Sequence, residues 1–341
     1  MRPFLYHHAG TMQDAIAAAA ASETRRNMPP TAAGGQFIAG GTTMLDLMKL
    51  DVMRPRDLVD INAVPGLDSI RATEAGLHLG ALTRMAEAAS HTLVVRNYPV
   101  LAQSLTLAAS AQLRNMASLG GNVLQRTRCP YFRDTSWDAC NKRNPGSGCA
   151  ALEAFNRMHA VLGTSGSCIA TYPGDFANAL VALEAEIEIS GRGGSRTLAF
   201  ERLHRRPGDR PDIETELAPD EIITGFRVPS APWFRRSRYL KIRDRESYEF
   251  ALASAGVALD LGPDGRVRDA RIALGGVATV PWRSRPAEAV LAGRRFDEAL
   301  AEEAAEAAFA EARPAGDNAF KVTLGKRTLV RALIETAAME I

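Results

Sequence analysis

All four cysteines of this 341-residue chain fall between Cys129 and Cys168, three of them in the single stretch CPYFRDTSWDACNKRNPGSGC. Residues 125–168 carry no helical or strand period and are rich in Asn, Gly, Pro, Arg and Cys. A loop that long inside a compact domain is usually functional, and it needs something other than a local core to hold it. Disulfides, a structural zinc, an iron–sulfur cluster and free buried thiols all remain possible. Disulfides suit small secreted domains short of core, whereas this chain, 46% apolar, is long enough to bury a core unaided. Structural zinc prefers close C-x-x-C knuckles, and the gaps here are ten, eight and eighteen residues. A cluster takes each thiolate on a separate iron and tolerates wide spacing better. The flanking Arg126, Arg128, Lys142 and Arg143, with the amides of Gly146 and Gly148, would stabilise an anionic assembly, though the same cations also suit a solvated surface. Gly146–Ala151 mimics the G-x-G-x-x-A dinucleotide fingerprint, but no strand precedes it, so it predicts no nucleotide site.

Lys and Arg exceed Asp and Glu by only two, so no net field favours nucleic acid or an anionic membrane. The arginines at 202, 205, 206, 210, 235, 236 and 238 read as solvated surface. No apolar run is long enough to span a membrane, and the N-terminus lacks a charged-then-apolar leader pattern. Location is therefore expected to be cytoplasmic, or periplasmic by co-export with a signal-bearing partner.

Periodicity predicts three regions. Residues 1–62 read as a small unit with helices near 11–22 and 44–50 and strands at Gln36–Ala39 and Leu58–Ile61. Residues 63–229 open with strands at Ser69–Ala72 and Leu77–Gly80 and a helix from Pro99 to about Ala111. They contain the cysteine window at about 125–168, then a helix from Asp175, a strand from Glu186, an exposed loop over Arg202–Pro219 and a closing strand, EIITGFRVP. Residues 233–341 give three strand candidates, two of them joined by the Pro263-Asp264-Gly265 turn, followed by helices. The fold class is α+β.

Two glycine stretches carry binding chemistry. In FIAGGTTMLDLMK a strand leads into Gly40-Gly41 and a helix follows Thr43; bare glycine backbone and the Thr42 and Thr43 hydroxyls could meet a diphosphate, or the segment could be a plain capped turn. Ser118-Leu119-Gly120-Gly121-Asn122 could close on the same phosphates. Asp175, at the head of a helix, could hold a polar ligand group or simply cap the helix.

Together AGGTT (39–43), LRNMASLGGN (113–122), YPGDFANAL (172–180), EIITGFRVP (221–229) and LGGVATVPWRSRPAEAVLAG (274–293) resemble the FAD-binding medium subunit of the molybdenum hydroxylases, the xanthine dehydrogenase family. The resemblance spans nearly the whole chain. Most such subunits lack the cysteine window; CPYFRD, CNKRNPGSGCAA and NRMHAVLG are most similar to the version in [4Fe-4S]-containing flavin subunits of aldehyde oxidoreductases. The resemblance implies a two-part FAD-binding region of PCMH-like fold, then a domain of the CO dehydrogenase flavoprotein type, a small antiparallel sheet packed with helices. It implies FAD held by Ala39, Gly40, Gly41, Thr42 and Thr43, by Ser118, Leu119, Gly120, Gly121 and Asn122, and by Asp175, Ile223 and Lys241. It implies a [4Fe-4S] cluster on Cys129, Cys140, Cys149 and Cys168.

In that case the chain carries no catalytic acid, base or nucleophile of its own. A molybdopterin-binding large subunit would oxidise an aldehyde, a [2Fe-2S] small subunit would relay electrons, and this chain would pass them on. His78, His91 and His204 read as structural, with His159 beside the window left open. Leu107-Ala108 stands where xanthine enzymes often have an aromatic residue. Two other readings remain: a free-standing FAD oxidase or reductase, and a zinc-braced assembly protein.

Overall fold

The computed structural model describes residues 1–22 and 28–341. Three sheets organise the chain. In the first, β1 (Leu5–His8), β2 (Gly35–Ile38) and β3 (Asp57–Asp60) run parallel in the order β1-β3-β2. Successive side chains of β3 point to opposite faces. Val59 packs with Ala15 of the helix Met12–Ala21, while Leu58 packs with Leu47, Met48 and, from the cysteine window, Phe132 and Cys140. One face of this sheet thus anchors the window. Thr11 caps the helix Met12–Ala21 by accepting from the Asp14 amide at 3.1 Å.

The second sheet is antiparallel in the order β4-β5-β8-β6-β7, with β4 (Ile70–Thr73), β5 (Gly76–Gly80), β6 (Glu186–Gly191), β7 (Gly194–Ala199) and β8 (Ile222–Pro229). β5 pairs with β8 across most of this region, so its helices and the cysteine window lie within one long excursion between paired strands.

The third sheet, β12-β11-β10-β9, is antiparallel: β9 (Ser237–Ile242), β10 (Ala253–Leu261), β11 (Val267–Gly275) and β12 (Trp282–Arg283). Both its faces are covered. Val257, Leu259, Ile272 and Leu274 pack beneath Leu300, Ala304, Leu329 and Leu333 of the helices Glu298–Ala308 and Phe320–Ala337. The alternate residues Ala258 and Ala273 join the core of the second unit, which includes the helix Asp175–Ala182. Small side chains on that face explain the close seating of the C-terminal sheet. Among the described residues no helix is long and apolar enough to cross a membrane.

One strand absent from the sequence reading is added, and three sequence expectations are corrected. The N-terminal Leu5–His8, without periodicity and exposed along its length, is a strand because its backbone pairs with β3. The helix from Pro99 ends at Thr106; Ala109, at φ 51°, turns the chain into a separate helix, Ala111–Met116. The second glycine stretch is not a loop but a helical turn, Leu119–Val123, with Ser118 accepting from the Gly121 amide at 3.2 Å. Arg202–Pro219 is a loop, as expected, but only in part an exposed one: Arg205, Arg206 and Arg210 are exposed, whereas Leu203 and Asp212 are fully buried and His204 packs against Tyr172 and Phe200.

Candidate functional site

A cleft of about 330 Å³ opens between the first two sheets. Ile38 to Thr43 form one wall, Ser118, Gly120 and Gly121 another, and Ile222 and Ile223 of β8 a third. Gly41 has φ +72°, which favours glycine. Gly40 abuts the backbone at Met116, closely enough that a Cβ would lie 1.9 Å from its carbonyl oxygen. Among the described residues, the amides of Gly40, Gly41, Thr42 and Thr43 find no backbone acceptor, and Thr43 makes no side-chain capping bond. This wall therefore presents free donors. The Gly120 and Gly121 amides, by contrast, are spent on the Ala81 carbonyl and the Ser118 hydroxyl.

The floor is charged. Arg126 donates through Nε to Glu214, and Lys142 Nζ lies 2.8 Å from the other carboxylate oxygen of Glu214 and 3.0 Å from the Pro211 carbonyl. Burial alone would raise the Glu214 carboxyl, but Arg126 and Lys142 outweigh it and hold the group at about 2. Arg126 is buried, its guanidinium sits over the Phe132 ring, and Nη2 has no partner although the residue lines the cleft. A buried guanidinium N–H with nothing to donate to, beside a wall of unused amides, fits an anionic, phosphate-bearing ligand. His204, pushed down to about 4 by burial, contacts the Val123 carbonyl at 2.9 Å and is a neutral wall residue.

Thr127, Lys142, Ala170 and Thr171 line the cleft and also belong to or flank the cysteine window. Within it, Cys140 and Cys149 face one another across an isolated antiparallel bridge, and the Cys149 and Cys168 thiols hydrogen-bond. Cys129 packs with Cys140 in one apolar cluster and with Cys149 in another. All four are free thiols. Burial pushes Cys129 up to about 12 and raises Cys140; Cys168 is raised by its bond to Cys149 and by burial, whereas Cys149 is lowered to about 7 by that same bond.

Among the described residues no group of three or more His, Cys, Asp or Glu side chains stands as placed to hold a metal ion. Ligands of one ion must converge on a point; thiolates on separate irons of a cluster need only surround a space. A gathered, all-sulfur donor set inside one loop fits the second case, because burial disfavours thiolates unless cationic iron compensates them.

The expected amide donors to such a group are corrected: Gly146 and Gly148 donate to Asn141 Oδ1 at 3.1 and 2.9 Å. The flanking cations brace the loop. Arg143 donates to the carbonyls of Tyr131 and Phe132, both at 2.8 Å, and of Trp137, while Arg128 stacks on Phe250 and lies 3.7 Å from Asp46.

Residues 2–231 match the FAD binding domain in molybdopterin dehydrogenase, and residues 238–336 the CO dehydrogenase flavoprotein C-terminal domain. The chain is 48% identical to the aldehyde oxidoreductase FAD-binding subunit PaoB of Escherichia coli, over 89% of this chain and 92% of that protein. It belongs to the FAD-binding medium subunits of the molybdenum hydroxylases. Its similarity to the carbon monoxide dehydrogenase medium chain of Hydrogenophaga pseudoflava is 26% over 87% of this chain and 88% of the relative. Its fold is that of carbon monoxide dehydrogenase from the same organism, solved without the Mo-pyranopterin moiety of its molybdenum cofactor: TM-score 0.74, 25% identity, 99% of this chain and 98% of the solved one.

Of the residues expected from sequence to meet cofactor in this medium subunit, Ala39, Gly40, Gly41, Thr42, Thr43, Ser118, Gly120, Gly121 and Ile223 line the cleft. Leu119 is wholly buried, and Asn122 points to Met85 Sδ at 3.3 Å. Asp175 and Lys241 lie outside the lining and hold each other at 2.7 Å; Tyr239 also donates to Asp175, at 2.8 Å. Arg126, Lys142, His204 and Glu214 were not expected at the cleft.

Proposed function

We propose that this chain is the FAD- and [4Fe-4S]-containing electron-transfer subunit of a molybdenum-dependent aldehyde oxidoreductase. Its partners are a molybdopterin-binding large subunit and a [2Fe-2S] small subunit, from which electrons pass through this chain to an external acceptor. Bound FAD supplies a carrier that exchanges single electrons with iron–sulfur centres and pairs of electrons with small acceptors. The observation that carries the proposal is the shared wall: Thr127, Lys142, Ala170 and Thr171 serve both the cleft and the four-thiol loop. Such adjacency suits two redox groups in one chain.

The amides of Gly40 to Thr43 and the free Nη2 of Arg126 receive the anionic part of FAD, and Ser118, Gly120, Gly121 and Ile223 enclose it. Cys129, Cys140, Cys149 and Cys168 hold the cluster. Glu214 keeps Arg126 and Lys142 in place while balancing their charge. Aldehydes are the proposed substrate class, by likeness to the relative named for that activity.

The test is an anaerobic absorption spectrum of the purified complex before and after dithionite, with flavin, iron and acid-labile sulfide quantified on the medium subunit. Flavin bands with iron and sulfide in the amounts of one [4Fe-4S] cluster support the proposal. Flavin with neither iron nor sulfide in this chain removes the cluster, and a colourless zinc protein removes both cofactors. Cys140→Ser is expected to lose iron while retaining FAD.

A further inference from the structure

One buried ring touches the thiol group without being explained by the fold. His159 is 2% exposed, and its Nε2 lies 3.2 Å from Cys129 Sγ. Its Nδ1 is buried and has no partner. A ligating thiolate can only accept, so the nitrogen facing it must carry the proton whatever the state of the other nitrogen.

The ring is held from the C-terminal domain. Asn318, wholly buried, donates to the Ala160 carbonyl at 3.0 Å and the His159 carbonyl at 3.4 Å. Lys321, also wholly buried, donates to the Met158 carbonyl at 3.0 Å and the Gly276 carbonyl at 2.7 Å. Thr171 adds a bond to the Met158 carbonyl at 2.8 Å. Two buried side chains spent on the backbone around one histidine fix where its ring points.

We propose that His159 donates an Nε2–H···Sγ hydrogen bond to Cys129 that raises the reduction potential of the cluster, with Asn318 and Lys321 as positioning residues. The inference rests on the cluster assignment above. Reduction adds negative charge shared with the ligand sulfurs, and a donor aimed at one of them favours the reduced form; hydrogen bonds to sulfur are a known lever on cluster potential.

The test is a redox titration of the holo complex followed by electron paramagnetic resonance. Wild-type protein without iron and sulfide in this chain would remove the cluster reading and this inference together. With the cluster present, His159→Phe is expected to keep iron, sulfide and FAD and to shift the cluster potential downward, and His159→Gln, which retains an N–H, to recover part of the shift. An unchanged potential in His159→Phe with iron retained overturns the inference alone. Loss of iron from both variants also overturns it, since the ring would then be a ligand or a fold element. Because variants can fail to assemble, wild-type protein labelled with nitrogen-15 histidine gives an independent readout. A nitrogen coupling to the reduced cluster, weaker than that of a direct ligand, is expected, and its absence overturns the proposal.

Discussion

Gly40 carries more constraint than its size suggests. A Cβ there would sit 1.9 Å from the Met116 carbonyl oxygen, where the first unit meets the second, and backbone cannot yield as a side-chain tip can. Gly40→Ala is expected to cost about 1–3 kcal/mol, as overpacking does, and to lower flavin occupancy. The urea midpoint and the flavin-to-protein ratio check both. Glu214 makes the complementary electrostatic prediction. Its carboxyl is held at about 2 instead of the ordinary 4.5, so the folded state favours the ionised form. The stability this provides, on the order of 3 kcal/mol, is complete above the unfolded value and is lost as pH falls from about 4.5 toward 2. Glu214→Gln should flatten the dependence of the denaturation midpoint on pH in that window; an unchanged slope would show that the pair with Arg126 and Lys142 contributes nothing.

Among the elements, the C-terminal helix Phe320–Ala337 contains a glycine in its interior, a position that usually costs about 1 kcal/mol relative to alanine. Gly325 is nonetheless suited to its place. A Cβ would meet the buried Phe309 ring at 2.2 Å, and overpacking of about 1–3 kcal/mol exceeds the gain in propensity. Gly325→Ala should therefore lower the melting temperature, whereas a rise would mean that Phe309 swings aside freely. Local preference and packing disagree here, and packing decides.

At the scale of the whole molecule, the Asp175–Lys241 pair ties the helix Asp175–Ala182 of the flavin region to β9 of the C-terminal domain. Both side chains are almost fully buried, so removing one partner leaves an uncompensated charge. Asp175→Asn should destabilise by about 3–5 kcal/mol, while Asp175→Leu with Lys241→Met should recover much of that loss. Denaturation of the two variants separates a structural tie from a cofactor contact: if single and double variants lose stability equally, the charges do not act as a pair.

Features that depend on neighbours along the chain are legible without the fold. The Thr11 cap and the helix after it, the turn at Gly265 with its positive φ, the apolar runs of β10 and β11, the AGGTT turn and the restriction of every cysteine to one window were all legible, because each is a local pattern of period, cap or backbone freedom. Features that depend on distant partners emerge once the chain is folded. β1 is a strand through pairing with β3, Arg126 meets Glu214 across 88 positions, and Asp175 spends its charge on Lys241 across 66. The ring of His159 reaches Cys129 because side chains from the far C-terminus hold its backbone. Hydrogen bonds and ion pairs act over a few ångströms in space, and the cost of closing such loops is met by the whole core, so no window of sequence shows which charges will meet.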